Sequence, residues 1–224
     1  MTDLVQLGED LWVARRPLSF YGLQLGTRMT VVRFGRDLML HSPVAPDDAL
    51  RHALAALGDV RWVVGPNRLH HLFLAPWVDL GAQAWGVPAL VRKRLDMSFA
   101  GVVGPGMPWG ERLAALPTTC IPFTDEAVFF HAPSRTLIVS DLVFNLAPSA
   151  PLLTRAAMSL ARGYPGVCCS LFERVLMDRN AARSDIGAIL DWDFDRIVMA
   201  HGETVTDDAH GALRRAYGWL GLDR

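Results

Sequence analysis

The feature that most constrains this chain is its recurrence of short apolar runs, each stopped by a turn or polar residue. Residues 11–15, 29–34, 38–41, 61–64, 126–131, 136–140 and 196–200 all have this form. Runs this short read as β-strands. Gly35-Arg36-Asp37 joins two of them and Ala132-Pro133-Ser134-Arg135 joins two more, so a meander and a hairpin are expected. Between the strands lie helical patterns. Pro46-Asp47-Asp48 opens ALRHALAAL with an acidic first turn and Gly58 closes it, predicting a helix over 46–57. Residues 152–190 predict helices broken at Gly163-Tyr164-Pro165-Gly166, and Thr206-Asp207-Asp208 predicts the start of a last one. The Gly- and Pro-rich stretch 101–117 reads as a loop over one face, in the position of a lid.

At 224 residues, 51% hydrophobic and 20% charged, the chain has enough apolar content for one large core, and a single domain over 1–224 is expected. A net charge of −1, with no arginine-rich run interleaved with aromatics, argues against a nucleic-acid partner. The opening MTDLVQLGEDLW lacks a basic-then-apolar signal pattern, and no apolar stretch of about 18 residues occurs. A cytoplasmic protein with no membrane partner is therefore expected. Cys120, Cys168 and Cys169 cannot all pair and read as reduced core thiols. Trp62, Trp77, Trp85 and Trp109 read as core and rim.

Polar residues directly after buried strands mark where a rigid scaffold presents chemistry. Three such ends stand out: Asn67-Arg68-Leu69-His70-His71, Ser140-Asp141, and His201-Gly202-Glu203. Imidazoles with a carboxylate form the donor set of a zinc, iron or manganese centre. The same residues have structural readings: the histidine pair capping a helix and bonding Asn67, Asp141 capping its turn, His201 bonding a carbonyl, and His131 satisfied inside the fold.

The order of these motifs resembles the metallo-β-lactamase superfamily, an α+β fold in which two mixed sheets are sandwiched between helices (αββα). It is similar in particular to a bacterial branch catalogued as a domain of unknown function. The superfamily's His-x-His-x-Asp-His motif falls on GPNRLHHL, with Pro66 and Arg68 at the first two histidines, His70 at the aspartate and His71 at the last histidine. Asp141 in VSDLVF matches the bridging aspartate and His201 in MAHGE the final histidine, while the middle histidine has no counterpart near Ile121-Pro122-Phe123-Thr124. His41-Ser42-Pro43 stands where the superfamily has an aspartate.

The resemblance thus implies a degenerate site retaining a single metal half, with His70, His71, Asp141 and His201 as ligands to one divalent ion, zinc first and iron or manganese next. Arg68 would replace part of the lost cation's charge, and Glu126 would serve as further ligand, general base or orienting partner. The implied activity is that of a metal-dependent hydrolase-like protein acting on a small molecule. Two other readings stay open: a non-catalytic binding or scaffolding protein whose metal is replaced by Arg68, and a mononuclear iron redox protein. Substrate and oligomeric state are open at this point.

Overall fold

The structure, a computed structural model, describes residues 4–110 and 112–222. Strands β1 (Leu4–Gly8) and β2 (Leu11–Arg16) pair antiparallel, and β3 (Ser19–Phe20) with β4 (Leu23–Gln24) forms a small separate hairpin. The meander continues through β5 (Thr27–Phe34) and β6 (Asp37–His41). Helix α1 (Asp48–Leu57), β7 (Asp59–Gly65), α2 (Leu74–Asp79), β8 (Gln83–Gly86), α3 (Pro88–Lys93) and β9 (Gly101–Val102) follow. They complete a sheet ordered β1-β2-β5-β6-β7-β8-β9, parallel from β6 onward.

The second sheet orders β10 (Leu113–Pro117), β11 (Ala127–His131), β12 (Thr136–Ile138) and β13 (Arg196–Val198), and only β12 and β13 run parallel. Helices α4 (Leu152–Leu160), α5 (Leu171–Leu176) and α6 (Arg179–Leu190) precede β13, and α7 (Ala209–Ala216) follows it.

Alternation along β11 shows how the layers form. Ala127 and Phe129 join the core shared with the large sheet, whereas Val128 joins Ile186 and Ile189 of α6 and Leu213 of α7 on the opposite face. On the far side of the large sheet, Leu50 and Leu54 of α1 pack into the same core as β6 and β7. The expected αββα sandwich is what the chain forms.

Capping matches the sequence reading at two helices. Asp47 Oδ1 accepts from Leu50 N–H at 2.7 Å to start α1, and Asp208 Oδ1 accepts from Gly211 N–H at 3.2 Å to start α7.

One local expectation needs correction. The 101–117 stretch is not a lid. Its ends are strands of both sheets, and Trp109, 3% exposed, packs edge-on against Trp62 and Trp85 with centroids 6.1 and 5.5 Å apart. Apolar burial of this indole outweighs the local turn chemistry. Pro76 sits in the first turn of α2, where no intrahelical N–H is needed.

Among the described residues no helix is long and apolar enough to cross a membrane. The cysteines are free, and burial pushes the Cys120 and Cys169 thiols up to about 12, so neither is a ready thiolate.

Candidate metal centre

Four strand ends meet at one edge of the sandwich. Strand β6 ends in His41 and Ser42 follows it; beyond β7 come Pro66 to His71; beyond β12, Ser140 and Asp141; and beyond β13, His201 and Gly202. Among the described residues, His70, Asp141 and His201 offer ligand atoms that all lie within 4.8 Å of one another. His70 Nε2 and His201 Nε2 each lie 3.3 Å from the Asp141 carboxylate. All three side chains are largely withdrawn from solvent.

Each ring is held by its other nitrogen. His201 Nδ1–H donates to the Gly26 carbonyl at 2.7 Å, and His70 Nδ1 shares a 2.6 Å hydrogen bond with Ser42 Oγ. Ser42 adopts a left-handed backbone, φ 51°, while 2% exposed, a conformation that serine takes at a cost. Phe144 stacks on the His201 ring at 5.9 Å.

Asp141 is fixed from two sides. Its Oδ2 accepts from Asn67 Nδ2 at 2.8 Å, and its backbone N–H donates to Glu126 Oε2 at 2.9 Å. Glu126 also accepts from the Ser140 N–H at 2.8 Å, so one buried carboxylate holds the turn that carries the other. Burial, and then the Asp141 charge, raise the Glu126 carboxyl above its ordinary range. Burial would raise Asp141 as well, but His70 and the hydrogen bonds from both histidines outweigh it and hold Asp141 well below the usual carboxylate range. His70 is raised: desolvation opposes its charge, and Asp141 overcomes that opposition.

The structure brings together three of the four expected ligands and leaves out His71. Asn67 Oδ1 accepts from the N–H groups of Leu69 and His70 at 2.8 and 3.0 Å, curling the chain so that adjacent side chains diverge. His71 Nε2 instead lies 2.7 Å from Lys93 Nζ, and its Nδ1 lies 3.0 Å from the Arg94 guanidinium. Desolvation, then these two cations, lower its pKa. A ring facing two cations is a poor neighbour for a third.

Arg68 also departs from expectation. Its guanidinium lies over the Phe123 ring at 5.0 Å, and among the described residues it pairs with neither Asp141 nor Glu126. Glu126 accepts from the backbone of Ser140 and Asp141 and, among the described residues, bonds no histidine. His131 sits apart, buried with Nδ1 on Ser134 Oγ at 2.7 Å.

Sequence reasoning missed Ser42, Asn67 as the partner of Asp141, and Arg28. The Arg28 side chain, buried on β5, donates to the Met199 and Gly202 carbonyls at 2.7 and 2.5 Å, bracketing His201. Burial, then the Arg15 charge, lower it to about 10. A signal existed for Ser42 and Asn67, which flank strand ends in a polar context; an arginine inside an alternating strand carried none.

No known family profile and no curated protein matches the sequence. Solved structures do. A metallo-beta-lactamase from Pontibacter korlensis superposes with a TM-score of 0.67 at 11% identity, covering 99% of both chains. The chain has the metallo-β-lactamase fold. Metallo-β-lactamase-fold enzymes from Hirschia baltica (13% identity, TM-score 0.66, 98% of this chain and 97% of that one) and Pseudomonas aeruginosa (11%, 0.66, 99% and 96%) are similar over the same length. The Pseudomonas aeruginosa enzyme was solved in a mono-zinc form.

The donor set itself fits a metal. Ligand atoms of a tetrahedral zinc with bonds of about 2.0 Å stand about 3.3 Å apart, the separation of Asp141 from each histidine nitrogen. With Nδ1–H committed to Gly26, His201 turns Nε2 toward a carboxylate at 3.3 Å, an arrangement that requires a cation or a proton between the two.

Proposed function

We propose that this chain is a metal-dependent hydrolase-like enzyme in which His70, Asp141 and His201 hold a single divalent ion, zinc in the first instance. The observation that carries this reading is His201 Nε2 facing the Asp141 carboxylate at 3.3 Å while Nδ1–H is bound to Gly26. Three protein ligands, fewer than the four expected, suit a catalytic centre better than a closed structural one. When bound, a divalent ion supplies Lewis acidity, acidifying water and polarising a substrate oxygen.

The chain's own residues do the positioning. Gly26 and Ser42 fix the rotation of the two rings. Asn67 and Glu126 fix the carboxylate and its backbone, and Arg28 holds the loop that bears His201. The substrate on this reading is a small molecule entering at the strand-end edge.

Two imidazoles and a carboxylate also form the donor set of mononuclear non-haem iron, which supports an iron redox centre as the second reading. The non-catalytic reading with Arg68 in place of a metal loses its support, because that guanidinium lies on Phe123. Elemental analysis of protein purified without chelator, followed by a hydrolysis screen over small esters, amides and phosphoesters, tests the proposal. A single zinc per chain with chelator-sensitive hydrolysis is expected. Iron with oxygen consumption moves the assignment to the second reading, and protein that takes up no metal overturns both.

A further inference from the structure

Three cations converge on the turn that carries His70, and a single carboxylate pairs with them. Lys93 Nζ, at the end of α3, donates to the Arg68 carbonyl at 3.1 Å and lies 2.7 Å from His71 Nε2. Arg94 Nη1 donates to the His71 carbonyl at 3.2 Å and lies 3.0 Å from His71 Nδ1. The Arg68 guanidinium, over the Phe123 ring, completes the group. Asp96 takes Arg94 with both its oxygens, at 2.8 and 2.7 Å. Arg68 and Lys93 have no such counterpart: among the described residues neither stands in an ion pair. Asp125, the other acid of this neighbourhood, caps the opposite end of α3, where its Oδ2 accepts from the Ala89 N–H at 2.6 Å.

Donors outnumber acceptors in this cluster. An imidazole has at most one bare nitrogen, so His71 can accept from Lys93 or from Arg94 and turns an N–H toward the other. Stacking on Phe123 covers a face of the Arg68 guanidinium and leaves its N–H edge open, and among the described residues that edge makes no hydrogen bond. Burial, then the charges of Arg68 and Arg94, hold the Lys93 ammonium below its ordinary range, and no acid counters them. Like charges held together without a counter-ion repel, and an anion placed between them relieves the repulsion and takes up the free donors. With Arg94 neutralised by Asp96, the charge left over is that of Arg68 and Lys93, which is matched by a doubly charged anion.

We propose that Arg68 and Lys93 form a receptor for a phosphate-type dianion, the open edge of the guanidinium and the ammonium each donating to its oxygens. Arg68 stands two residues before His70 in the chain. On the hydrolase reading the dianion is therefore the charged end of the small substrate; that assignment rests on the reading, and the receptor itself does not.

The test is calorimetric titration of the full chain, as purified, with inorganic phosphate at constant ionic strength. Saturable binding is expected, with the monoanion acetate weaker by about tenfold or more. Lys93→Gln and Arg68→Gln should each lower phosphate affinity by on the order of tenfold. His201→Ala should retain the binding, which separates the receptor from phosphate held by an ion at the ligand set. Lys93 is exposed, and cooperative melting near the wild-type temperature establishes that each variant folds. Wild-type protein that binds no phosphate overturns the proposal, as does binding that both folded glutamine variants retain. Acetate bound as tightly as phosphate overturns the dianion assignment. Because phosphate affinity and not hydrolysis is read, protein without metal or activity would sink the hydrolase reading and leave the receptor standing.

Discussion

His70 and His201 stand with ring centroids 5.4 Å apart, tilted at 55°, and both turn Nε2 toward the one carboxylate of Asp141. Everything else at the strand-end edge serves that convergence, and its consequences can be measured.

The ligand set separates adjacent histidines. His70→Ala and His201→Ala each remove a donor of the triad and are expected to abolish metal retention in elemental analysis. His71→Ala removes a ring that faces Lys93 and Arg94 and should leave metal content unchanged. Loss of metal in His71→Ala would restore the four-ligand reading.

Asn67 does two jobs, and two substitutions divide them. Its amide donates to Asp141 while its carbonyl oxygen accepts from Leu69 and His70. Asn67→Ala should weaken zinc affinity roughly 10- to 100-fold in a competition titration, the usual cost of removing a group that orients a ligand. Asn67→Asp keeps the acceptor but sets a second carboxylate against Asp141, so apo stability should fall further than in Asn67→Ala.

Gly202 is required by its backbone and its surroundings. With φ at 102° and an added Cβ meeting the Asn145 carbonyl oxygen at 2.1 Å, Gly202→Ala must displace the loop that carries His201. Thermal melts should show a loss of about 2–4 kcal/mol, and metal retention should fall with it. Arg28→Met, which strips the donors from Met199 and Gly202, is expected to act in the same direction.

Glu173 sets a pH dependence. Burial, opposed by the Ser170 hydrogen bond, raises its carboxyl from 4.5 to about 7. The folded protein therefore holds this proton more tightly than the unfolded chain does. Its contribution falls as pH rises from about 4.5 to about 7, with a total on the order of 3 kcal/mol. Glu173→Gln removes the titration, so in urea melts its stability relative to wild type should grow across that window and level off above it. A difference that stays flat with pH would show that Glu173 does not titrate there.

Much of the architecture was legible in the sequence because strand length, turn residues and caps are local properties. The runs ending at Asn67, Asp141 and His201 announced where polar groups would sit, and Asp47 and Asp208 announced their helices. The stretch around Trp109 was misread because its Gly and Pro content is local while the burial of its indole is not.

What the sequence by itself determined was the alternation of elements and the presence of His70, Asp141 and His201 at strand ends, since periodicity and turn chemistry act over a few residues. Only the tertiary structure decided that His70 and not His71 faces Asp141, that Arg68 rests on Phe123, that Ser42 and Gly26 orient the rings, and that α4 and α5 present their apolar faces to water. The physical reason is common to all four. Where a side chain points depends on backbone angles in turns and on partners brought from distant parts of the chain, and neither is written in the spacing of residues along it.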